Sequence, residues 1–242
     1  VLVHGFTATP DEVRPLGDAL AARGRPCRAV RLPGHDTTLD DLGRVKRADW
    51  IACVEQAIGA MGADGTRVAV AGVSLGALLA LHAAAVRRVA VAGLVLCATP
   101  LLLADRRSAW LPSLARMPWL RRRWALMAKA HGRDIRDVAA RARSRAYPAV
   151  PLSAAIEFLR LRRLVEGELG RVTQPALVLH GRFDRTAPVA NVDRLVHALG
   201  STWIESAIFE QSAHVLTEDS ERDAVAARAA AFLDRLEATP PA

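Results

Sequence analysis

The chain has 242 residues, of which 51% are hydrophobic and 24% charged, a balance that excludes intrinsic disorder and is long enough to bury a sizeable core. No stretch reaches the ~18 uninterrupted apolar residues of a membrane span; the nearest, 89–104, is broken by Gly93 and Pro100. The net charge of +8 is confined to one segment: residues 105–148 carry 12 basic and 3 acidic residues, and the rest of the chain is close to neutral.

Three cysteines, Cys27, Cys53 and Cys97, lie far apart with neither a CxxC pair nor a ligand spacing, so reduced structural thiols are expected in place of a zinc site or a disulfide framework. The chain opens at Val1, inside an apolar run and without a methionine, which suggests that residues precede it. The absence of a leader segment therefore carries no weight against secretion, and a cytoplasmic location is the default expectation.

In chain order, β-rich runs fall at 1–3, 27–31, 67–71, 91–97, 176–180 and 203–208. Helical periodicity fills most of the gaps, at 11–23, 50–61, 75–86, 189–199 and 222–236. The first helix carries a start signal, with Thr9 as N-cap, Pro10 at the first position and Glu12 placed for a capping box, and Gly24 follows as a stop. Strands alternating with helices predict a mostly parallel, doubly wound sheet covered on both faces. Far more residues separate the runs at 91–97 and 176–180 than one crossover needs. Residues 101–163 are read as a helical insertion over the carboxyl edge of the sheet, where ligands of open α/β sheets bind.

The chemistry begins at Gly72-Val73-Ser74-Leu75-Gly76, which follows the run Val68-Ala69-Val70-Ala71 and precedes Ala77-Leu78-Leu79-Ala80-Leu81. Strand, GxSxG and helix in that order form a nucleophile elbow, the signature of the α/β hydrolases. The glycines are needed because side chains two residues either side of the serine would collide with backbone in so tight a turn. A chance GxSxG in an Ala/Gly-rich chain is the alternative, and the strand–helix setting argues against it.

A serine nucleophile needs a base, and the base an orienting acid, in the chain order Ser, Asp or Glu, His. His214 lies in Glu210-Gln211-Ser212-Ala213-His214-Val215, between the last strand and the last helix, where an imidazole can reach over the sheet edge. His197 sits in a helical pattern, His82 in the helix of the elbow itself, and His180 ends a strand, where a structural hydrogen bond is expected. The acid candidate is Asp184, just past the penultimate strand; Asp193 lies on the next helix and Asp219 reads as a cap of the last one. The negative charge that builds on the carbonyl oxygen calls for two backbone donors. The N–H of Leu75 and of Phe6, in His4-Gly5-Phe6-Thr7, are expected to supply them, with His4 shaping the loop.

With these motifs, the chain resembles the small bacterial carboxylesterases and monoacylglycerol lipases of the α/β-hydrolase superfamily. The likeness is carried by His4-Gly5-Phe6-Thr7-Ala8-Thr9-Pro10, Arg31-Leu32-Pro33-Gly34-His35, Asp49-Trp50, Gly72-Val73-Ser74-Leu75-Gly76, the run from His180 to Asp184, and Ser212-Ala213-His214-Val215. It covers nearly the whole chain apart from the insertion. It implies an α/β-hydrolase core over 1–100 and 164–242 and a helical cap over 101–163, inserted after the sixth family strand. It also implies Ser74 as nucleophile, Asp184 and His214 as its partners, Phe6 and Leu75 as oxyanion donors, and ester hydrolysis without metal or organic cofactor. Ala77 and Asp36 stand where the family usually has glycine, and the early strands of larger members are absent. An epoxide hydrolase or dehalogenase is disfavoured because those relatives carry a carboxylate at the position of Ser74. A thioesterase, a carbon–carbon bond hydrolase and a non-catalytic binding protein on the same fold remain as alternatives.

The insertion interleaves Trp110, Leu114, Trp119, Leu120, Trp124 and Met127 with arginines. One reading is a cap whose inner face lines an acyl pocket and whose basic outer face meets anionic lipid. The other is a solvated Arg-rich exterior, since arginine outnumbers lysine 31 to 2 along the whole chain. None of the recognised nucleic-acid-binding modules is present.

Overall fold

The computed structural model describes residues 1–87, 90–105, 126–128 and 132–238. Its centre is a sheet of six parallel strands: β1 (Leu2–Val3), β2 (Ala29–Val30), β3 (Val68–Val73), β4 (Val91–Cys97), β7 (Ala176–Gly181) and β8 (Ile204–Phe209), in the order β2-β1-β3-β4-β7-β8. The central strands read as unbroken apolar runs because both of their faces are covered. Their side chains divide with period two: Val70, Leu94, Leu96 and Val178 enter one core, Ala71, Val95, Cys97, Leu177 and Leu179 the other.

The first core is closed by α3 (Arg47–Met61), α4 (Leu75–Val86), α6 (Leu152–Glu166) and α7 (Asn191–Ala198); the second by α1 (Arg14–Ala21) and α8 (Arg222–Ala238). Helix α4 has no polar face: eleven of its residues are buried, so it runs through the core and carries the elbow with it. Its one polar side chain, His82, meets Glu168 through Nδ1 at 2.7 Å.

Every strand and helix expected from the sequence is present, with ends moved by a few residues. The first helix differs in kind. Residues Pro10–Val13 form a 3-10 turn before α1, and the Thr9 side chain makes no cap hydrogen bond. The Glu12 carboxylate instead accepts the N–H of Gly5, so the expected capping box does not form. A short helix not foreseen, α2 (Leu39–Arg44), is capped by Thr38, whose Oγ1 accepts from Asp41 N at 3.1 Å. Within the insertion the described residues hold α5 (Val138–Arg143) and an antiparallel pair, β5 (Leu126–Ala128) with β6 (Ala149–Pro151). Helix α6 continues three residues past 163 without a break. Trp110, Leu114, Trp119, Leu120, Trp124 and much of the basic run lie outside the described residues. No helix among the described residues is long and apolar enough to cross a membrane.

Candidate active site

Parallel strands of this order bring the ends of β3, β7 and β8 to one edge of the sheet, and the three predicted triad residues follow those ends. Ser74 joins β3 to α4 with φ +52°, a left-handed conformation that is costly for a residue with a Cβ. The turn survives because its flanks have no side chains. A Cβ on Gly72 would lie 2.2 Å from the Gly76 carbonyl carbon, and one on Gly76 2.1 Å from the Val3 oxygen. The Ser74 N–H is tied to the Cys97 carbonyl of β4 at 2.9 Å. Among the described residues the Ser74 hydroxyl has no hydrogen bond, and such contacts often tighten only in a substrate complex.

The predicted acid and base are joined directly. His214 Nδ1 donates to Asp184 Oδ2 at 2.7 Å. The other oxygen, Oδ1, accepts the N–H groups of Thr186 and Ala187 at 2.8 and 2.7 Å. His180 completes the set. Its Nε2 lies 3.0 Å from Asp184 Oδ2 and 2.9 Å from the Ala187 carbonyl; two acceptors on one nitrogen place the proton there. The structural hydrogen bond expected of His180 is therefore made to the candidate acid itself.

Electrostatics favour proton acceptance by His214. Burial alone would lower its pKa, but the charges of Asp184, Asp134 and Glu12 and the Asp184 hydrogen bond outweigh it and raise the value above that of an ordinary histidine. Burial likewise opposes ionisation of Asp184, yet His214 and His180 hold its carboxyl well below the usual carboxylate range. Of the alternatives weighed from sequence, His197 bonds the Asp193 carbonyl on its own exposed helix and His82 is paired with Glu168.

The loop carrying Phe6 is pinned from several sides. His4 is fully buried; its Nε2 accepts the Leu32 N–H at 3.2 Å, so Nδ1 bears the proton and donates to the Gly5 carbonyl at 2.9 Å. Burial lowers the His4 pKa to about 4, only partly offset by the Gly5 hydrogen bond, and the ring stays neutral. Glu12 takes the Gly5 N–H from the other side. The Phe6 ring stacks on Phe158 of α6 at 5.1 Å and meets Trp50 edge-on at 5.9 Å. The Gly5 carbonyl that His4 holds shares its peptide plane with the Phe6 N–H, and Glu12 fixes the peptide before it, so the direction of the Phe6 N–H is set. Among the described residues neither that N–H nor the Leu75 N–H, at the start of α4, has a partner.

Glu12 escaped the sequence reading, because the spacing that marks a capping box also lets a carboxylate reach back to Gly5. Asp36, which replaces a family glycine, adopts φ +56°, so its backbone keeps the conformation glycine would provide. Ala77 is fully buried in α4. No cluster of side chains suited to a metal ion occurs among the described residues.

The chain is similar to known lipases and esterases. A thermostable monoacylglycerol lipase from Bacillus sp. (strain H-257) is 28% identical over 235 residues, spanning 96% of this chain and 88% of that protein. A carboxylesterase from Bacillus subtilis (strain 168) is 23% identical over 238 residues, spanning 98% and 92%. A solved structure from LipS and LipT, two metagenome-derived lipolytic enzymes, superposes with a TM-score of 0.88 at 27% identity, covering 97% of this chain and 92% of that one. The model of the alpha/beta hydrolase family matches residues 1–228, and the chain belongs to that family.

Proposed function

We propose that the protein is a serine hydrolase of carboxylic esters with short- to medium-chain acyl groups, monoacylglycerols among them. The observation that carries this reading is the Asp184–His214 pair at the same sheet edge as a serine held at φ +52°. The similarity to a monoacylglycerol lipase and a carboxylesterase over nearly the whole chain supports the choice of ester substrates.

In this mechanism Ser74 Oγ attacks the ester carbonyl carbon while His214 Nε2 takes its proton, and Asp184 holds the imidazole in the tautomer that can accept it. The N–H groups of Phe6 and Leu75 receive the oxyanion. Collapse of the tetrahedral intermediate expels the alcohol, which takes the proton from His214 and leaves the acyl group on Ser74. Water then attacks the acyl carbon while His214 takes its proton, and collapse breaks the bond to Ser74 Oγ, which receives that proton from His214 as the carboxylic acid leaves. Besides the ester, the only other reactant is water.

We read residues 1–100 and 164–242 as the hydrolase core and 101–163 as a cap over the acyl pocket. Two contacts support the cap: Phe158 stacks on Phe6, and the Tyr147 N–H bonds the Thr7 carbonyl at 2.9 Å. Both bring the insertion onto the loop of an oxyanion donor. The test is hydrolysis of p-nitrophenyl esters from acetate to palmitate, with monoacylglycerol alongside, by wild type and Ser74→Ala. Activity that disappears in the variant is expected, with a chain-length optimum that sizes the pocket. An inactive wild type, or an active Ser74→Ala, would overturn the proposal.

A further inference from the structure

The described part of the insertion is hydrogen-bonded to both loops that carry the acid and the base. Asp134, almost fully buried, accepts the Arg185 N–H at 2.8 Å and the Thr186 hydroxyl at 3.1 Å on Oδ2, and Arg185 Nε at 3.0 Å on Oδ1. Its own carbonyl accepts the N–H of Val215 at 3.2 Å. Asp219 reaches the opposite way. Fully buried, it takes the Arg136 and Ala213 N–H groups on Oδ2, at 3.0 and 2.8 Å, and those of Asp137 and Ser220 on Oδ1, both at 2.8 Å.

The chain neighbours of the acid, Arg185 and Thr186, and those of the base, Ala213 and Val215, are thus tied to one stretch, residues 134–137. A buried carboxylate stripped of its donors is strongly unfavourable, so contacts that share one carboxylate form and break together. Loops reaching over a sheet edge have no strand ladder to fix them, and the two aspartates supply the missing partners.

We propose that Asp134 and Asp219 are positioning residues that make the alignment of Asp184 with His214 depend on the seating of residues 134–137. The insertion then completes the acid–base pair as well as covering substrate. The inference rests on reading Asp184 and His214 as acid and base.

The experiment compares Asp219→Asn and Asp134→Asn with wild type and Ser74→Ala on p-nitrophenyl acetate, whose acyl group is too short to fill a pocket under a cap. Asparagine presents an NH2 toward N–H donors, so part of each set loses its acceptor. A displacement of the pair near 1 Å lowers kcat by about a hundredfold. We expect losses approaching that size in Asp219→Asn, with KM nearly unchanged and cooperative thermal unfolding. The low-field proton resonance of His214 Nδ1–H should shift or broaden. Ser74-dependent activity with wild-type kcat and an unmoved resonance in both variants would overturn the positioning role alone. Activity independent of Ser74 would overturn the underlying reading of the triad.

Amide hydrogen exchange in the unaltered protein provides a test that does not depend on either variant folding. The Arg136, Asp137, Ala213 and Val215 amides should share one protection level. Opening of Arg136 and Asp137 while Ala213 and Val215 stay protected would overturn the coupling.

Discussion

Replacing Asp184 by asparagine probes the proposed machinery where the structure is most exacting. All four partners of this buried carboxylate are donors: Thr186 N–H and Ala187 N–H on one oxygen, His214 Nδ1 and His180 Nε2 on the other. An amide has one oxygen, so whichever way it turns, its NH2 group faces two donors. With its oxygen on the backbone pair, the NH2 points at His214 and favours Nδ1 as an acceptor. The ring proton then moves to Nε2, and the lone pair that would take the Ser74 proton is gone. The same exchange in a serine protease, through the same loss of tautomer, lowers kcat about 10⁴-fold. At 1.36 kcal/mol per tenfold, that is about 5 kcal/mol of transition-state stabilisation. KM should change little, because the Asp184 side chain is fully buried. The pH dependence gives a second reading. In wild type kcat/KM should rise with pH as His214 loses its proton, at a pKa above the ordinary histidine value, to which the charge of Asp184 contributes. Without that charge the acid limb of the residual activity moves to lower pH. Steady-state kinetics on p-nitrophenyl butyrate from pH 5 to 9, with thermal unfolding as control, measures both. A folded Asp184→Asn variant with kcat within tenfold of wild type would refute the reasoning.

Further outcomes follow from three buried polar groups, Glu12, His4 and His82. Glu12→Gln keeps an acceptor for the Gly5 N–H but removes a charge that supports protonated His214, so the acid limb of its pH–rate profile should move down. Glu12→Ala leaves that N–H unpaired and should cost about 1–3 kcal/mol in urea unfolding. His4 has a native pKa of about 4, below its ordinary 6.5, so the unfolded chain binds the extra proton between those values. Stability should therefore fall as pH drops below about 6.5 and level off below about 4, by up to about 3 kcal/mol from this residue. Urea titrations across that window should be flatter for His4→Gln than for wild type. Finally, His82→Ala strands the Glu168 carboxylate, whose side chain is only 11% exposed. Loss of this buried hydrogen bond should cost about 1–3 kcal/mol in unfolding free energy with kcat unchanged, and His82→Leu with Glu168→Leu should recover most of the loss.

The features legible in the sequence are those whose causes lie within a few residues. Strands β3, β4 and β7 show as apolar runs because both faces are buried, His180 at the end of β7 being the exception. The elbow shows because the glycines that the turn requires are two residues from its serine. Asp184 and His214 are found by their order after the sheet strands, and the structure joins them. What the sequence conceals is carboxylates whose partners come from elsewhere in the chain. Glu12 reads as the end of a capping box, yet its partner Gly5 lies on the preceding loop. Asp219 reads as a helix start, while two of its donors belong to residues 82 and 83 positions earlier. Local spacing cannot separate these outcomes, because the residue type that caps a helix also accepts from any N–H that tertiary packing brings near. Helix α2 is a different case. Its signal, Thr38 with Asp41 three residues on, is present, but six residues with one fully buried side chain leave little periodicity to read.

These concealed carboxylates explain how the edge of the sheet holds its shape. Beyond the strand ends, and in the insertion packed on them, backbone N–H groups have no strand partners. Glu12, Asp134, Asp184 and Asp219 accept eight of them, from Gly5, Arg185, Thr186, Ala187, Arg136, Asp137, Ala213 and Ser220. Three of the four, Asp184, Asp134 and Glu12, also raise the pKa of His214. Three of the groups that order the loops therefore also favour the protonated imidazole. The proposed ester cleavage through Ser74 needs both a fixed geometry and a ready base. At this edge Asp184, Asp134 and Glu12 serve both requirements, so truncating any of these three to alanine should disturb position and proton affinity together, whereas Asp219 acts on position alone.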